Sequence, residues 1–280
     1  MEKRIAFIGA GNMGEAMIGA LIGAGIFPPG AISVYDADPG RLRTMTRTYG
    51  VTAAPDNFTL FMASDIVVLA VKPQIIGDVL SEIAGHPDYA NPDRTLVISI
   101  AAGTPIRKIE GLLHAPLDAA SRKRMPVIRV MPNTPALVLT GMSGMSPNAD
   151  ADETDIRMTR EILAAMGEVR EVAESLLDAV TGVSGSGPAY VFYLIEAMTE
   201  GGVRAGLRRE DAAALTLQTV KGAVRLMEEK GEAAADLRRK VTSPGGTTEA
   251  ALKVMETARV KDHIAEAVTA AARRSKELSE

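Results

Sequence analysis

The chain has 280 residues, a formal net charge of −4, 46% hydrophobic and 24% charged residues, and no cysteine. This is the composition of a globular protein large enough for two domains. It excludes disulfides, thiolate nucleophiles and zinc–thiolate sites, and it lacks the basic surface of a nucleic-acid binder.

No apolar run is long enough to span a bilayer. A strand pattern begins at once after the first residues and leaves no room for a signal peptide, so the expected compartment is the cytoplasm. His86, His114 and His263 are the only histidines and lie far apart, so no metal site is expected. Tryptophan is absent and aromatics are 4%, too few for a base-stacking platform.

The first half alternates strand and helix signals. Strands are expected at residues 4–8, 31–35, 65–71, 95–100, 127–131 and 169–172, and helices at about 13–24 and 39–49. The near-continuous apolar runs Asp65–Val71 and Thr95–Ile100 suit parallel strands covered on both faces. The alternation predicts an α/β doubly wound sheet. From about Glu174 the signals become helical almost throughout, at about 188–205, 209–230, 247–260 and 261–278. The expected division is a Rossmann-type dinucleotide-binding domain over 1–172, followed by an all-α domain over 173–280.

Gly9-Ala10-Gly11-Asn12-Met13-Gly14 places G-x-G-x-x-G directly after the first strand and at the mouth of the first helix. In that context Gly9 permits the tight turn, Gly11 admits a pyrophosphate to the backbone, and Gly14 allows close helix–strand packing. Asp36 ends the second strand at the spacing where an acid accepts from a ribose 2′-hydroxyl and repels a 2′-phosphate, favouring NAD. Arg41 and Arg43 follow closely and could pair with a 2′-phosphate, or simply lie on a solvated helix face. Preference between NAD(H) and NADP(H) therefore stays open. Ala70-Val71-Lys72-Pro73 follows a buried strand, where Lys72 either reaches a ribose or phosphate or is a helix-entry lysine. Asn57 either contacts adenosine or caps a helix, and Asn133, between two prolines, could face the nicotinamide.

The helical half carries Val241-Thr242-Ser243-Pro244-Gly245-Gly246-Thr247-Thr248 between two helix signals. Proline and two glycines interrupt the helix, and the next helix then starts with backbone N–H groups that no helical carbonyl accepts. Such a start holds a small anion; it is also an ordinary cap. Ser184-Gly185-Ser186-Gly187-Pro188 is a second glycine-rich turn, read as a domain junction with proline in the first helical turn.

These motifs together, with Ser99-Ile100-Ala101-Ala102-Gly103, Arg129–Pro135 and Asp178–Tyr190, resemble the pyrroline-5-carboxylate reductase family along essentially the whole chain. The resemblance implies reduction of the cyclic imine 1-pyrroline-5-carboxylate to L-proline by NADPH or NADH, the last step of proline biosynthesis. It implies an N-terminal Rossmann domain and a helical domain that interlocks with a second subunit into a homodimer, which can assemble further into a decamer. Cofactor contacts carry over to Gly9, Gly11, Asn12, Met13, Gly14, Asn57, Ala70, Lys72, Pro73, Ala101 and Ala102, with Ala10, Asp36, Val71 and Asn133 at the same loops. Substrate contacts carry over to Val241, Ser243, Gly245, Gly246, Thr247 and Thr248, with Thr248 as hydrogen-bond partner of the imine nitrogen. The connection from Leu113 to Met125 is longer than the family leads one to expect.

A protonated imine is already electrophilic, so such an enzyme needs no strong acid beside it. A hydroxyacid dehydrogenase of similar architecture needs a catalytic lysine or an acid–base pair; Lys221 and Lys240 sit in no motif of that kind. A nucleotide-sensing regulator that lost catalysis is a further alternative, against which the intact turn at 243–248 speaks.

Overall fold

A computed structural model of the chain describes residues 3–89 and 94–279. Eight strands form one sheet: β1 (Ile5–Ile8), β2 (Ile32–Tyr35), β3 (Thr52–Ala53), β4 (Ile66–Leu69), β5 (Leu96–Ser99), β6 (Val127–Met131), β7 (Gly141–Pro147) and β8 (Gly167–Glu171). Their spatial order is β3-β2-β1-β4-β5-β6-β7-β8. The first six are parallel, β7 runs antiparallel to β6, and β8 runs parallel to β7. The helices around them are α1 (Asn12–Gly23), α2 (Pro39–Tyr49), α3 (Asn57–Met62), α4 (Ile76–Ala84), α5 (Ile106–Leu113), α6 (Ala119–Lys123), α7 (Glu153–Ala164) and α8 (Leu177–Val180). The expected doubly wound α/β class is the class found.

Strand periodicity explains why the sheet needs cover on both faces. Ile5 and Phe7 join one buried cluster with α1, α2 and α7, while Ala6 and Ile8 join a second with α3, α4 and α5. Ile66 and Val68 divide from Val67 and Leu69 in the same way. Successive side chains leave a strand on opposite faces, so an unbroken apolar run is stable only between two helical layers. Local signals set the helix ends. Asp38 accepts from the Gly40 N–H at 2.7 Å and Pro39 opens α2, which Gly50 closes at φ +69°. Asp152 and Asp155 form a reciprocal capping box on α7.

The composition of β7 gives no strand signal, yet it lies within the sheet. A Cβ on Gly144 would stand 2.8 Å from Val180 Cγ1, and one on Gly141 would stand 2.9 Å from Ala136. Close approach of neighbouring segments therefore demands small residues here, against β propensity.

By packing, residues 1–185 and 271–280 form one compact unit and 186–270 another. The two part inside the glycine-rich turn around Gly185. Residues 174–185 belong to the sheet-bearing unit because Leu177 is fully buried there, with Leu177 and Val180 lying against Gly144 of β7. Glu174 ties this segment further, accepting from the Ile106 N–H at 2.7 Å and pairing at 3.2 Å with Arg129, a guanidinium buried in β6. Residues 271–279, the end of helix α13 (Val260–Ser279), join the same unit, where Ser275 donates to Asp178 at 2.7 Å and Leu278 lies beside Gly103.

The second unit comprises α9 (Gly187–Arg204), α10 (Arg209–Lys230), α11 (Ala234–Lys240), α12 (Thr247–Thr257) and the start of α13. Gly202 lets α9 approach Ala212 of α10 closely. The two buried apolar clusters among the described residues lie before residue 170, and Phe192, Tyr193, Leu215, Leu217 and Val254 of this unit are exposed. Apolar faces of this extent mark a surface made for another chain.

Gly167 provides a stability test of the sheet's far edge. Its φ is +142°, and an added Cβ would stand 2.0 Å from the Gly141 carbonyl oxygen. Gly167→Ala should lose at least about 2 kcal/mol of stability by urea unfolding. Wild-type stability in that variant would show that the β7–β8 pairing relaxes freely.

Candidate active site

Parallel strands deliver their carboxyl ends to one edge, and β1 sits where the chain order reverses between β2 and β4. Ligand crevices of such sheets open there. Gly9–Gly14, Asp36, Ala70–Pro73, Ala101–Ala102 and Asn133 follow β1, β2, β4, β5 and β6 at that edge, and Asn57 follows β3. The fold thus gathers the cofactor candidates that were scattered in sequence.

The three glycines of the motif differ in what requires them. Gly9 has φ +100°, donates to the Tyr35 carbonyl at 2.8 Å, and would place a Cβ 2.7 Å from the Ala70 carbonyl oxygen. A Cβ on Gly14 would stand 2.7 Å from the Gly9 carbonyl oxygen. A Cβ on Gly11 would meet nothing within 4 Å, and its φ is an ordinary −69°. Packing explains Gly9 and Gly14 and leaves Gly11 unexplained, except by a group arriving from outside. No side chain caps α1, so its first N–H groups face the same opening. A cradle that a Cβ would fill, beside an uncapped helix start, fits a dinucleotide pyrophosphate.

The charged side chains around this loop are tightly arranged. Asp36 accepts from the Ala10 N–H at 2.7 Å and the Asp38 N–H at 2.9 Å. Arg41 does not lie on a solvated face: its Nε donates to the Ala10 carbonyl at 2.8 Å, and its guanidinium pairs with Glu15 Oε2 at 2.6 Å. Tyr49 donates to the other Glu15 oxygen at 3.3 Å; burial first, and the Glu15 charge second, push its phenol above the usual range. Arg43 is exposed on α2.

Three other candidates have their surroundings defined. Lys72 is exposed and makes no ion pair among the described residues. Asn57 is buried and donates to Glu82 at 3.2 Å; the cap of α3 is Asp56, which accepts from the Thr59 N–H at 2.6 Å. Asn133 ties two segments together, accepting from the Met142 N–H at 2.9 Å and donating to the Ser184 hydroxyl at 3.2 Å. Ala101 is buried and Ala102 exposed.

In the other unit, the turn at 243–248 ends α11 and starts α12. Gly245 is left-handed at φ +68°, Gly246 takes the N-cap position, and no side chain caps the helix. The N–H groups expected to be open are open only in part. Gly246 donates to the Ser243 carbonyl at 3.0 Å, and Gly245 donates to Glu249 Oε2 at 2.7 Å. The N–H groups left at the helix start are those of Thr247, Thr248 and Glu249. A carboxylate can thus be accepted by this turn, since the chain's own Glu249 carboxylate already is. Among the described residues no group of three or more metal-ligating side chains occurs.

A family model described as pyrroline-5-carboxylate reductase dimerisation matches residues 174–278, and one described as NADP oxidoreductase, coenzyme F420-dependent, matches residues 4–103. The pyrroline-5-carboxylate reductase of Synechocystis sp. is 42% identical over 281 residues, covering 99% of both chains. This chain belongs to the pyrroline-5-carboxylate reductase family. The Escherichia coli pyrroline-5-carboxylate reductase is 40% identical, covering 100% of this chain and 99% of its own. Among solved structures, a pyrroline-5-carboxylate reductase from Coxiella burnetii superposes with a TM-score of 0.88 at 37% identity over 100% of both chains. The Plasmodium falciparum pyrroline carboxylate reductase with NADP bound gives 0.85 at 31%, covering 100% of this chain and 99% of that one. The chain is accordingly an NAD(P)-dependent oxidoreductase, with a Rossmann nucleotide fold and a pyrroline-5-carboxylate reductase dimerisation domain.

Sequence reasoning passed over two residues now seen at these sites. Glu15, in the first turn of α1, holds Arg41; it gave no signal because its partner lies in the next helix. Glu249 had one: it stands three residues after the N-cap, where an acid folds back onto the chain before a helix.

Glycine substitutions separate packing from binding at the nucleotide loop. Gly11→Ala should change stability by no more than about 0.5 kcal/mol, yet weaken NAD(P)H binding about tenfold or more, because the methyl occupies the phosphate approach. Gly14→Ala should instead lose stability. Unfolding curves beside calorimetric titration check both; unaltered binding in Gly11→Ala would remove the phosphate from this loop.

Proposed function

We propose that this chain reduces 1-pyrroline-5-carboxylate to L-proline, the last step of proline biosynthesis, with the substrate held at residues 241–248. Full-length similarity to pyrroline-5-carboxylate reductases supports the reaction, and the turn itself supports the placement. The carrying observation is an uncapped, eleven-residue helix start at Thr247 preceded by Ser-Pro-Gly-Gly. The substrate has one carboxylate and one C=N bond. N–H groups of Thr247 and Thr248, with the Ser243 hydroxyl, hold the carboxylate, and Val241, Gly245 and Gly246 shape the turn. Oriented binding of this kind supplies several kcal/mol of a barrier, up to about 7–11 in ideal cases.

Bound NAD(P)H supplies the hydride. Thr248 hydrogen-bonds the imine nitrogen and either orients it or relays its proton; a hydroxyl is too weak an acid to do more near neutral pH. The cofactor residues we assign are Gly9, Ala10, Gly11, Asn12, Met13, Gly14, Asp36, Asn57, Ala70, Val71, Lys72, Pro73, Ala101, Ala102 and Asn133. Of these, Asn133 and Asn57 are already engaged by neighbours, so their part is to hold the loops in place. The functional division falls after residue 172, near the start of the dimerisation-model match at 174.

The partner is a second copy of the chain, supported by the exposed apolar faces of α9 and α10 and by the dimerisation match. Assembly of dimers into a decamer and a cytoplasmic location extend the same reading. No helix among the described residues is long and apolar enough to cross a membrane.

Oxidation of NADH and of NADPH, each followed with pyrroline-5-carboxylate, tests the reaction; no turnover with either would overturn it. Thr248→Ala should lower kcat roughly tenfold to a hundredfold, less than a full acid–base group contributes. Its dinucleotide Kd should not move, and Thr248→Ser should retain most activity; full activity in the alanine variant would take Thr248 out of the mechanism. Phe192, 61% exposed on α9, tests the assembly. Phe192→Asp should shift sedimentation from dimer to monomer, and an unchanged profile would place the interface elsewhere.

A further inference from the structure

The nucleotide edge carries a charged arrangement that imine reduction does not require. The Ala10 peptide is gripped from both sides: its N–H donates to Asp36 at 2.7 Å, and its carbonyl accepts from Arg41 at 2.8 Å. The same guanidinium is paired with Glu15 at 2.6 Å, in a setting where each side chain is about 30% exposed. One fork of Arg41, Nε with a terminal nitrogen, is therefore turned onto the protein and its charge is neutralised. Asp36 keeps lone pairs beyond the two N–H groups it accepts from.

We infer that Asp36 and Glu15 together make this edge selective for the dinucleotide with a free 2′-hydroxyl, NADH, with Glu15 as a positioning residue that withholds Arg41 from a 2′-phosphate. The inference rests on the reading that this edge binds the dinucleotide. A ribose hydroxyl can donate to the Asp36 carboxylate; a phosphate dianion has no hydrogen to donate and meets like charge. To be bound, that dianion needs an uncommitted cation arranged as a fork. Arg41 is the nearby guanidinium, and its Nε and Nη2 are held by the Ala10 carbonyl and Glu15. Asp38 adds a further negative charge next to Asp36, and Arg43 on α2 is exposed. The family does not decide the matter, since the Plasmodium falciparum relative is described with NADP bound.

Calorimetric titration of the full chain with NADH and with NADPH tests this without relying on turnover. The wild type should bind NADH about tenfold or more tightly than NADPH, the scale of like-charge juxtaposition. Glu15→Gln should strengthen NADPH binding about three- to tenfold and move NADH less than about twofold, with Arg41→Ala cancelling that gain only when added to Glu15→Gln, as a coupled pair requires. Asp36→Asn should narrow the NADH/NADPH ratio independently, and keeps the question answerable if Glu15→Gln does not fold. Equal or tighter NADPH binding by the wild type would overturn the inference. So would a silent Glu15→Gln, or NADPH binding that Arg43→Ala alone removes. Binding of neither dinucleotide would overturn the nucleotide site and this inference with it. NADH preference without reduction of pyrroline-5-carboxylate would overturn the proposed reaction and leave the inference standing.

Discussion

The approach of Gly14 to the Gly9 carbonyl, with only a hydrogen on Cα between them, is the constraint from which the nucleotide end follows. It seats the start of α1 directly on the end of β1. Gly9 is pressed in turn against the Ala70 carbonyl, so the end of β1 has no room for a side chain at either glycine. Any bulk here would lift the helix from the sheet and misalign its unpaired N–H groups. Backbone contact at this point brings the uncapped start of α1 to the end of β1, an arrangement suited to an anion.

The other unit solves a similar problem with different parts. There the turn between α11 and α12 is exposed, and its geometry comes from Gly245 in the left-handed region and a Ser243 carbonyl that accepts from Gly246. Glu249 stabilises the turn by taking the Gly245 N–H. In the substrate placement proposed above, a second carboxylate would share this ground with that of Glu249, an arrangement that favours moderate affinity.

Much of this was legible in the residues. Unbroken apolar runs such as Ile66–Leu69 announced two-sided cover, and the spacing of Gly9, Gly11 and Gly14 announced a tight glycine turn from β1 into α1. The long helices of the second half followed from composition and turn chemistry. What was illegible depended on contacts distant in sequence. β7 is glycine, serine and methionine up to its closing Pro147, and Val180 and Ala136 crowd its glycines. Arg41 reads as a surface arginine until Glu15, on another helix, is seen to hold it. The engagement of Asn133 by Met142 and Ser184 likewise has no local signature. Periodicity reports what a segment buries, and it is silent about which neighbour does the burying.

The exposed apolar faces of α9, α10 and α12 have a thermodynamic consequence. Among the described residues this unit has no buried apolar cluster of its own, and any hydrophobic stabilisation it gains from a second copy of the chain varies with protein concentration by mass action. Dilution then acts on this half of the molecule as a denaturant does. In the placement proposed for the imine, the turn at 241–248 lies between helices of this unit, so specific activity would fall as the protein is diluted.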